Sequence, residues 1–432
     1  MHISATIRQL ADTRAEKVGL TRFFRNPNVT AAEIIETGAA RTAQAAVGRH
    51  VLLIQDTSEI NYQAKAGRKR GLGRVGNGKD VGLFVHPALA VDAADGSVLG
   101  LAGATIWRRD KVKAADYQAL PIEQKESHRW LATPMAARKR LAGASLMTAV
   151  SDRESDIYEL FARVPDARTH LLVRACKDRA LAEKGARLFA AIAARPEAGR
   201  LSFDLAGRPG RGARKVTLAA RFCKVTLRQP RTGPDPRDPP HLRLNVVEVA
   251  EIDPPSPDDA IVWRLLTTHA VSSLEEAARI VDLYRLRWTI EQMFRTVKSQ
   301  AIALEESFLA DGDALECLGA TALLAACAVM QLVQARGEAG LAHKASRLFN
   351  PTQIEVLKAL VVKYQGKTEK QKNPHPPETL AWAAWQIARL GGWNGYASER
   401  PPGPITFSRG LKRFYAIVQG FTLAANEDVC SR

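Results

Sequence analysis

Continuous apolar runs and alternating runs divide this chain into regions. His50–Asp56 (HVLLIQD) is unbroken apolar sequence ending in an acid, the pattern of a strand covered on both faces. Leu146–Asp152 (LMTAVSD) repeats it and again ends in an acid, and Thr169–Ala175 is a third such strand. Gly82–Asp92 and Val98–Trp107 read as a hairpin joined at Ala94-Asp95-Gly96. Beyond Leu201 the pattern changes to alternation: Leu201–Leu205, Lys215–Leu227, Leu242–Ile252 and Ala260–Thr268, separated by Gly207–Gly212 and Pro230–Pro240. This predicts a small antiparallel subdomain.

Helical spacing fills most of the remainder. Phe23 and Phe24 anchor a turn at Asn26-Pro27-Asn28, and Thr30 with Glu33 forms a capping box for a helix over Ala31–Ala46. Further helices are predicted at Leu120–Leu141, Ile157–Arg163, Gly312–Arg336, Thr352–Lys363, Pro377–Leu390 and Gly410–Val418. Met1–Val18 is polar with a helical tendency, Lys367–Pro377 is a polar linker, and Arg400–Pro404 is a rigid turn. There are no internal repeats.

One further helix is expected over Ile280–Lys298 (IVDLYRLRWTIEQMFRTVK), led in by Ser273 as cap with Glu276 at the box position. Leu283, Leu286, Ile290, Met293, Phe294 and Val297 make its apolar stripe. At ~100° per residue, Tyr284, Arg287, Glu291 and Lys298 fall in a sector of about 60° on another face. Two readings stand side by side. One is a solvated face with an Arg–Glu pair at i,i+4. The other is an acid among donors and cations, able to hold a metal and phosphates together.

Charge changes the balance. The chain has 432 residues, enough for two or three domains, and a formal net charge of +17 in a sequence too apolar to be a disordered basic tail. A polyanionic partner, nucleic acid before membrane, is the expectation. The loop Tyr62–Lys79 mixes glycines with cations, without Walker spacing, and reads either as a flexible phosphate-tracking loop or as merely solvated. The alternating region adds Arg208, Arg211, Arg214, Lys215, Arg221, Lys224 and Arg228. Its Trp263 is a core residue or a platform for a base. Asp56 and Asp152 are either solvated strand-end acids or two acids of one sheet converging on a cation. Glu154 and Asp156 fit helix N-terminal charge compensation. Five cysteines without metal-ligand spacing, and no signal-like start, point to a reduced, cytoplasmic protein. Leu318–Val333 reads as a buried helix rather than a membrane span, so no membrane partner is expected.

The spacing Tyr284-x2-Arg287-x3-Glu291-x6-Lys298 resembles the Tyr–Arg–Glu–Lys signature of bacterial cut-and-paste transposases of the insertion-sequence-four family. RFFRNPNV, IQDTSEINY, SDRESDIYE and the C-terminal LGGWNGY…RPPGPITFSRGLKR agree with that family in order, so the resemblance runs from about Thr21 onward. It implies a ribonuclease-H-like α/β core with a mixed sheet, interrupted by an antiparallel β insertion and followed by a helical C-terminal region. The implied division is 1–47 (a short helical region standing for part of a DNA-binding domain), 48–175 (first part of the core), 176–268 (insertion), 269–340 (last part of the core) and 341–432 (helical, a candidate for dimerisation). Asp56, Asp152 and Glu291 would be an acidic triad holding Mg²⁺ or Mn²⁺, two ions. Tyr284, Arg287 and Lys298 would bind phosphates, and Trp263 would stack a flipped base. The implied activity is cutting transposon ends and joining their 3′-hydroxyls to target DNA, as a homodimer in the synaptic complex. About 20 residues precede RFFRNPNV where family members carry several tens more. A truncated, non-catalytic DNA-binding or dimerising relative is therefore the competing expectation, and a ribonuclease-H-like repair nuclease a third.

Overall fold

Buried strands and capped helices recur in the computed structural model, which describes residues 13–109, 117, 120–205, 212–231, 234–299, 301–366, 368–396 and 398–430. Its strands are β1 (His50–Gln55), β2 (Ser58–Asn61), β3 (Gly73–Val75), β4 (Asp80–Asp92), β5 (Val98–Trp107), β6 (Leu146–Ser151), β7 (Thr169–Arg174), β8 (Gly199–Leu205), β9 (Arg214–Arg228), β10 (His241–Glu251) and β11 (Val262–Thr267). Its α-helices are α1 (Arg14–Arg25), α2 (Ala31–Ala45), α3 (Arg129–Arg140), α4 (Tyr158–Arg163), α5 (Leu188–Ala193), α6 (Leu274–Arg285), α7 (Trp288–Lys298), α8 (Gly312–Ala335), α9 (Pro351–Tyr364), α10 (Leu380–Leu390) and α11 (Pro404–Cys430). The class is mixed α/β with a mixed sheet and a helical C-terminal region. The chain divides into two compact units, Gly48–Asp56 with Lys113–Trp288, and Met1–Val47 with Thr57–Val112 and Thr289–Arg432.

In the first unit the sheet order is β1-β6-β7-β11-β10-β9-β8. β1, β6 and β7 run parallel, and each later neighbour is antiparallel. The four alternating strands are antiparallel as predicted, but they do not stand apart as a small subdomain. β11 pairs with β7 (Leu265↔Arg174, Thr267↔Leu172), so they continue the same sheet. The pairing satisfies edge donors and acceptors on β7 that would otherwise need covering. One face of this sheet carries a core of Trp130, Tyr158, Phe161, Leu171, Leu188, Leu227, Val246 and Leu266. Trp130, 1% exposed, is among the largest fully buried side chains. Trp130→Ala is expected to cost about 3–5 kcal/mol, read as a lowered denaturation midpoint with unchanged slope. A cost under about 1 kcal/mol would mean the indole is not core.

The second unit holds β2, β3 and β5 around β4, and most of the helices. Thr30 caps α2 with Glu33 in the predicted capping box. α2 lies directly on β5: Thr42 Oγ1 donates to Leu101 O at 2.9 Å. A Cβ on Gly100 would stand 2.3 Å from that oxygen, on a backbone at φ +147°. Only glycine allows that approach. α8 is the one described helix long and apolar enough to cross a membrane, and 78% of its most apolar window is buried inside the protein. It is the core helix that Leu318–Val333 predicted.

Several boundaries depart from the pattern. Leu120–Leu141 is helical only from Arg129, after two short 3-10 turns. α11 runs well beyond Gly410–Val418 at both ends. Tyr62–Lys79 is not a flexible loop: it contains a 3-10 segment, Gln63–Arg68, and the strand β3. The helix expected over Ile280–Lys298 is two helices. Leu286 N–H reaches Asp282 O at a long 3.4 Å, and Arg287 N–H takes Tyr284 O at 3.0 Å, an i→i−3 bond that tightens and ends α6. The apolar stripe survives the interruption: Leu283, Ile290, Met293 and Val297 are buried, and Leu286 and Phe294 are half-buried. A period count therefore could not detect it.

Candidate active site

β1 and β6 are parallel with Ile54 opposite Val150, so the residues that follow them, Asp56 and Asp152, leave the same carboxyl-terminal end of neighbouring strands. Adjacent strands lie ~4.8 Å apart. The strands themselves are sealed: Val51–Ile54 and Gln55 are fully buried and Ser151 nearly so. The two acids are where the sheet first reaches solvent, with side chains 23% and 32% exposed. Asp152 caps a 3-10 turn, its Oδ1 accepting from Arg153 N–H at 2.6 Å.

The end of α6 supplies the facing groups in this unit. Arg287 Nη1 donates to Asp56 Oδ2 at 3.1 Å. Tyr284 is 4% exposed, and Trp263 on β11 meets its ring edge-on at 5.3 Å between centroids. The Arg287 guanidinium stands 5.9 Å from the Tyr284 ring. Burial pushes the Tyr284 phenol above its ordinary value; Arg287 and Arg174 oppose the shift and Asp152 adds to it. The buried Tyr284 hydroxyl has no acceptor among the described residues; its polar neighbour, the Arg287 guanidinium, can only donate. An unpaired buried hydroxyl is costly and asks for an acceptor.

Asp56, Asp152, Tyr284, Arg287 and Trp263 thus all fall in the first unit. Glu291 and Lys298 fall in the second, on α7, both half-buried. Lys298 Nζ lies 4.0 Å from Glu305 Oε1. Among the described residues, no group of three or more His, Cys, Asp or Glu side chains is arranged to hold a metal ion.

Other readings of charge are redirected. Glu154 pairs with Arg129 at the surface. Asp156 is not a helix-end charge but a buried anchor, 1% exposed. It takes Arg179 Nε at 2.7 Å and the N–H groups of Cys176 and Lys177 at 2.9 Å. Two lysines of the loop Tyr62–Lys79 are already engaged within the protein. Lys65 donates to Glu305 O and Glu306, and Lys69 to Ser307 O and Leu309 O. Burial, with Lys65 nearby, lowers Lys69 to about 8. Arg214 is paired with Glu251. Arg208 and Arg211 lie outside the described residues. A cleft of about 970 Å³ opens in the second unit between Arg25, Arg68 and Arg70 and the acids Asp311, Asp313 and Glu316. Its cations and acids are equal in number, and Asp56, Asp152, Trp263, Tyr284, Arg287, Glu291 and Lys298 are not among its lining residues.

The sequence pattern gave no sign of a histidine cluster toward the other end of the same strands. Thr148 Oγ1 bonds both His50 Nε2 and His269 Nε2 at 2.8 Å, and His170 stacks on His269 at 4.0 Å. Burial, then His170, His50 and Arg279, push His269 down to about 3, and burial lowers His170 as well. Both titrate near 6.5 when unfolded. Below that pH the unfolded chain binds protons that the folded chain does not. Stability should therefore fall from pH 6.5 to 5, by at most ~1.4 kcal/mol per pH unit for each histidine. Urea midpoints at pH 7.5, 6.5 and 5.5 measure it, and His269→Gln should flatten the dependence. An equally steep dependence in that variant would assign the effect elsewhere.

Residues 124–328 match the family model for the transposase DDE domain, a little under half of the chain. The match supports a DDE transposase. Among solved structures the chain is similar to the piggyBac transposase synaptic complex with hairpin DNA, at 9% identity and a TM-score of 0.37. That likeness covers 88% of this chain and 56% of the other, so the chain spans little more than half the length of that transposase.

Proposed function

We propose that this protein is a DNA transposase of the insertion-sequence-four type, which cuts transposon ends and joins their 3′-hydroxyls to target DNA. The observation that carries the reading is the pair Asp56 and Asp152, leaving neighbouring parallel strands at one end, with Asp152 inside the stretch 124–328 that matches a transposase DDE domain. Asp56, Asp152 and Glu291 offer only carboxylate oxygens, which suits hard divalent cations such as Mg²⁺ or Mn²⁺. Two such ions, when bound, activate the attacking hydroxyl and stabilise the leaving oxygen. The orphaned Tyr284 hydroxyl, Arg287 and Lys298 suit phosphate oxygens, with Arg287 able to take two. Arg287 has to exchange its contact with Asp56 for the DNA backbone, which frees that carboxylate. Trp263, half-buried at the strand end, offers its remaining ring face to a displaced base. A homodimer holding two ends is part of the proposal, because two ends need two sets of acids.

The test is cutting of duplex DNA carrying the element's own terminal repeats, in Mg²⁺ or Mn²⁺, with products resolved on denaturing gels. The proposal expects cuts at the repeat termini and an absolute need for the cation. Binding of end DNA without any cutting would instead select the non-catalytic relative. Separately, Trp263→Ala is expected to lower cutting at least 10-fold with end affinity changed less, since stacking is worth ~1–3 kcal/mol per base. Unchanged cutting removes the stacking role.

A further inference from the structure

The far part of the sheet face that carries Trp263 extends the DNA-cutting reading, on which its role rests. Trp263 pairs with Val249 and Val249 with Ala220, so these three share one face. Residues two apart on a strand return to that face. It therefore continues through Lys224, Thr226 and Arg228 on β9 and, directly opposite them, Asn245, Arg243 and His241 on β10. Lys224, Arg243 and His241 are exposed and Arg228 is half-buried. Lys224, Arg228 and Arg243 have no ion pair among the described residues, whereas Arg214, Arg221 and Arg264 on the same three strands are each matched by Glu248 or Glu251. No acid occupies these six positions. The result is an uncompensated basic ladder, two strands wide.

We infer that this ladder binds the phosphodiester backbone of the DNA whose end is engaged at Trp263 and Tyr284. At ~3.4 Å per residue, Lys224 and Arg228 stand roughly 14 and 27 Å along β9 from the level of Trp263. At 3.4 Å per base pair, that is about four to eight base pairs further into the DNA. A second strand with Arg243 between them gives the ladder breadth to follow one backbone. Three cations without carboxylate partners carry no sequence information, so the contact fixes affinity and position rather than specificity.

The experiment uses the full chain and a long end-bearing duplex. The triple variant Lys224→Gln, Arg228→Gln, Arg243→Gln is compared with Lys363→Gln, an exposed cation on α9, and with Lys224→Arg, Arg228→Lys, Arg243→Lys. The slope of log affinity against log salt should fall by roughly 2–3 in the neutral triple, at ~0.9 per phosphate contact. It should stay within error of wild type in the other two. Hydroxyl-radical protection should be lost about four to eight base pairs inside the terminus and kept at the terminus. A wild-type slope and footprint in the neutral triple overturn the ladder. So does an unchanged slope accompanied by a changed oligomeric state, which would make this face a contact between copies. If wild type itself neither binds nor cuts end DNA, the failure lies with the proposed function instead.

Discussion

Replacing Asp152 by asparagine is expected to lower end cutting on the order of 10³-fold or more while leaving end affinity within a few-fold. Asparagine keeps the size of the side chain and one acceptor, so the 3-10 turn that begins at Arg153 retains its cap. It loses the charge. If the carboxylate helps hold a divalent cation at the scissile phosphate, the lost charge stabilisation is several kcal/mol, and ~4 kcal/mol is a thousandfold in rate. The side chain is a third exposed and anchors nothing in the core, so a fold defect should not imitate the effect. Single-turnover cutting together with a thermal melt separates the two. Cutting within 10-fold of wild type at an unchanged melting temperature would remove Asp152 from the chemistry.

Arg179→Met is expected to destabilise the protein by about 3–5 kcal/mol, the usual cost of stranding one member of a buried ion pair. The Asp156 side chain is fully buried and that of Arg179 is 7% exposed. Beyond the arginine, the carboxylate gathers the N–H groups of Cys176 and Lys177. It thereby ties the segment after β7 to the turn that carries Asp152. Asp156→Asn combined with Arg179→Met should recover part of the loss, because no unpaired charge then remains. Denaturant midpoints for the single and double variants read the coupling. A single-variant loss below 1 kcal/mol would show that the pair does not secure that turn.

Asp152 and Asp156 also mark what the sequence discloses and what it hides. Asp152 was legible because a continuous apolar run dictates a buried strand, and the first polar residue after it must stand at the sheet's end. Asp56 follows the same rule, and Thr30 with Glu33 shows how a local motif fixes a helix start. The role of Asp156 is hidden because its partner is 23 residues away, across α4 and β7. Local charge patterning sees only helix ends. Lys65 and Lys69 failed in the same way: their partners are carbonyls some 240 residues further on, and nothing near them in sequence shows that they are spent. The break at Leu286 and Arg287 was invisible for a different reason. Two turn residues between α6 and α7 leave the apolar spacing intact, so only the tightened backbone bond records it. The alternating strands were recognised singly. Their joining to β7 is a property of the sheet edge and not of any one strand.

The proposed function requires the strand-end acids and Glu291 together to hold the divalent cations that cutting needs. Mn²⁺ binding to the protein in complex with end DNA, followed by electron paramagnetic resonance, tests this most directly. Wild type should bind two Mn²⁺ per active site, and Asp56→Asn, Asp152→Asn and Glu291→Gln should each lose at least one as cutting falls. Full Mn²⁺ occupancy in all three variants would contradict the account.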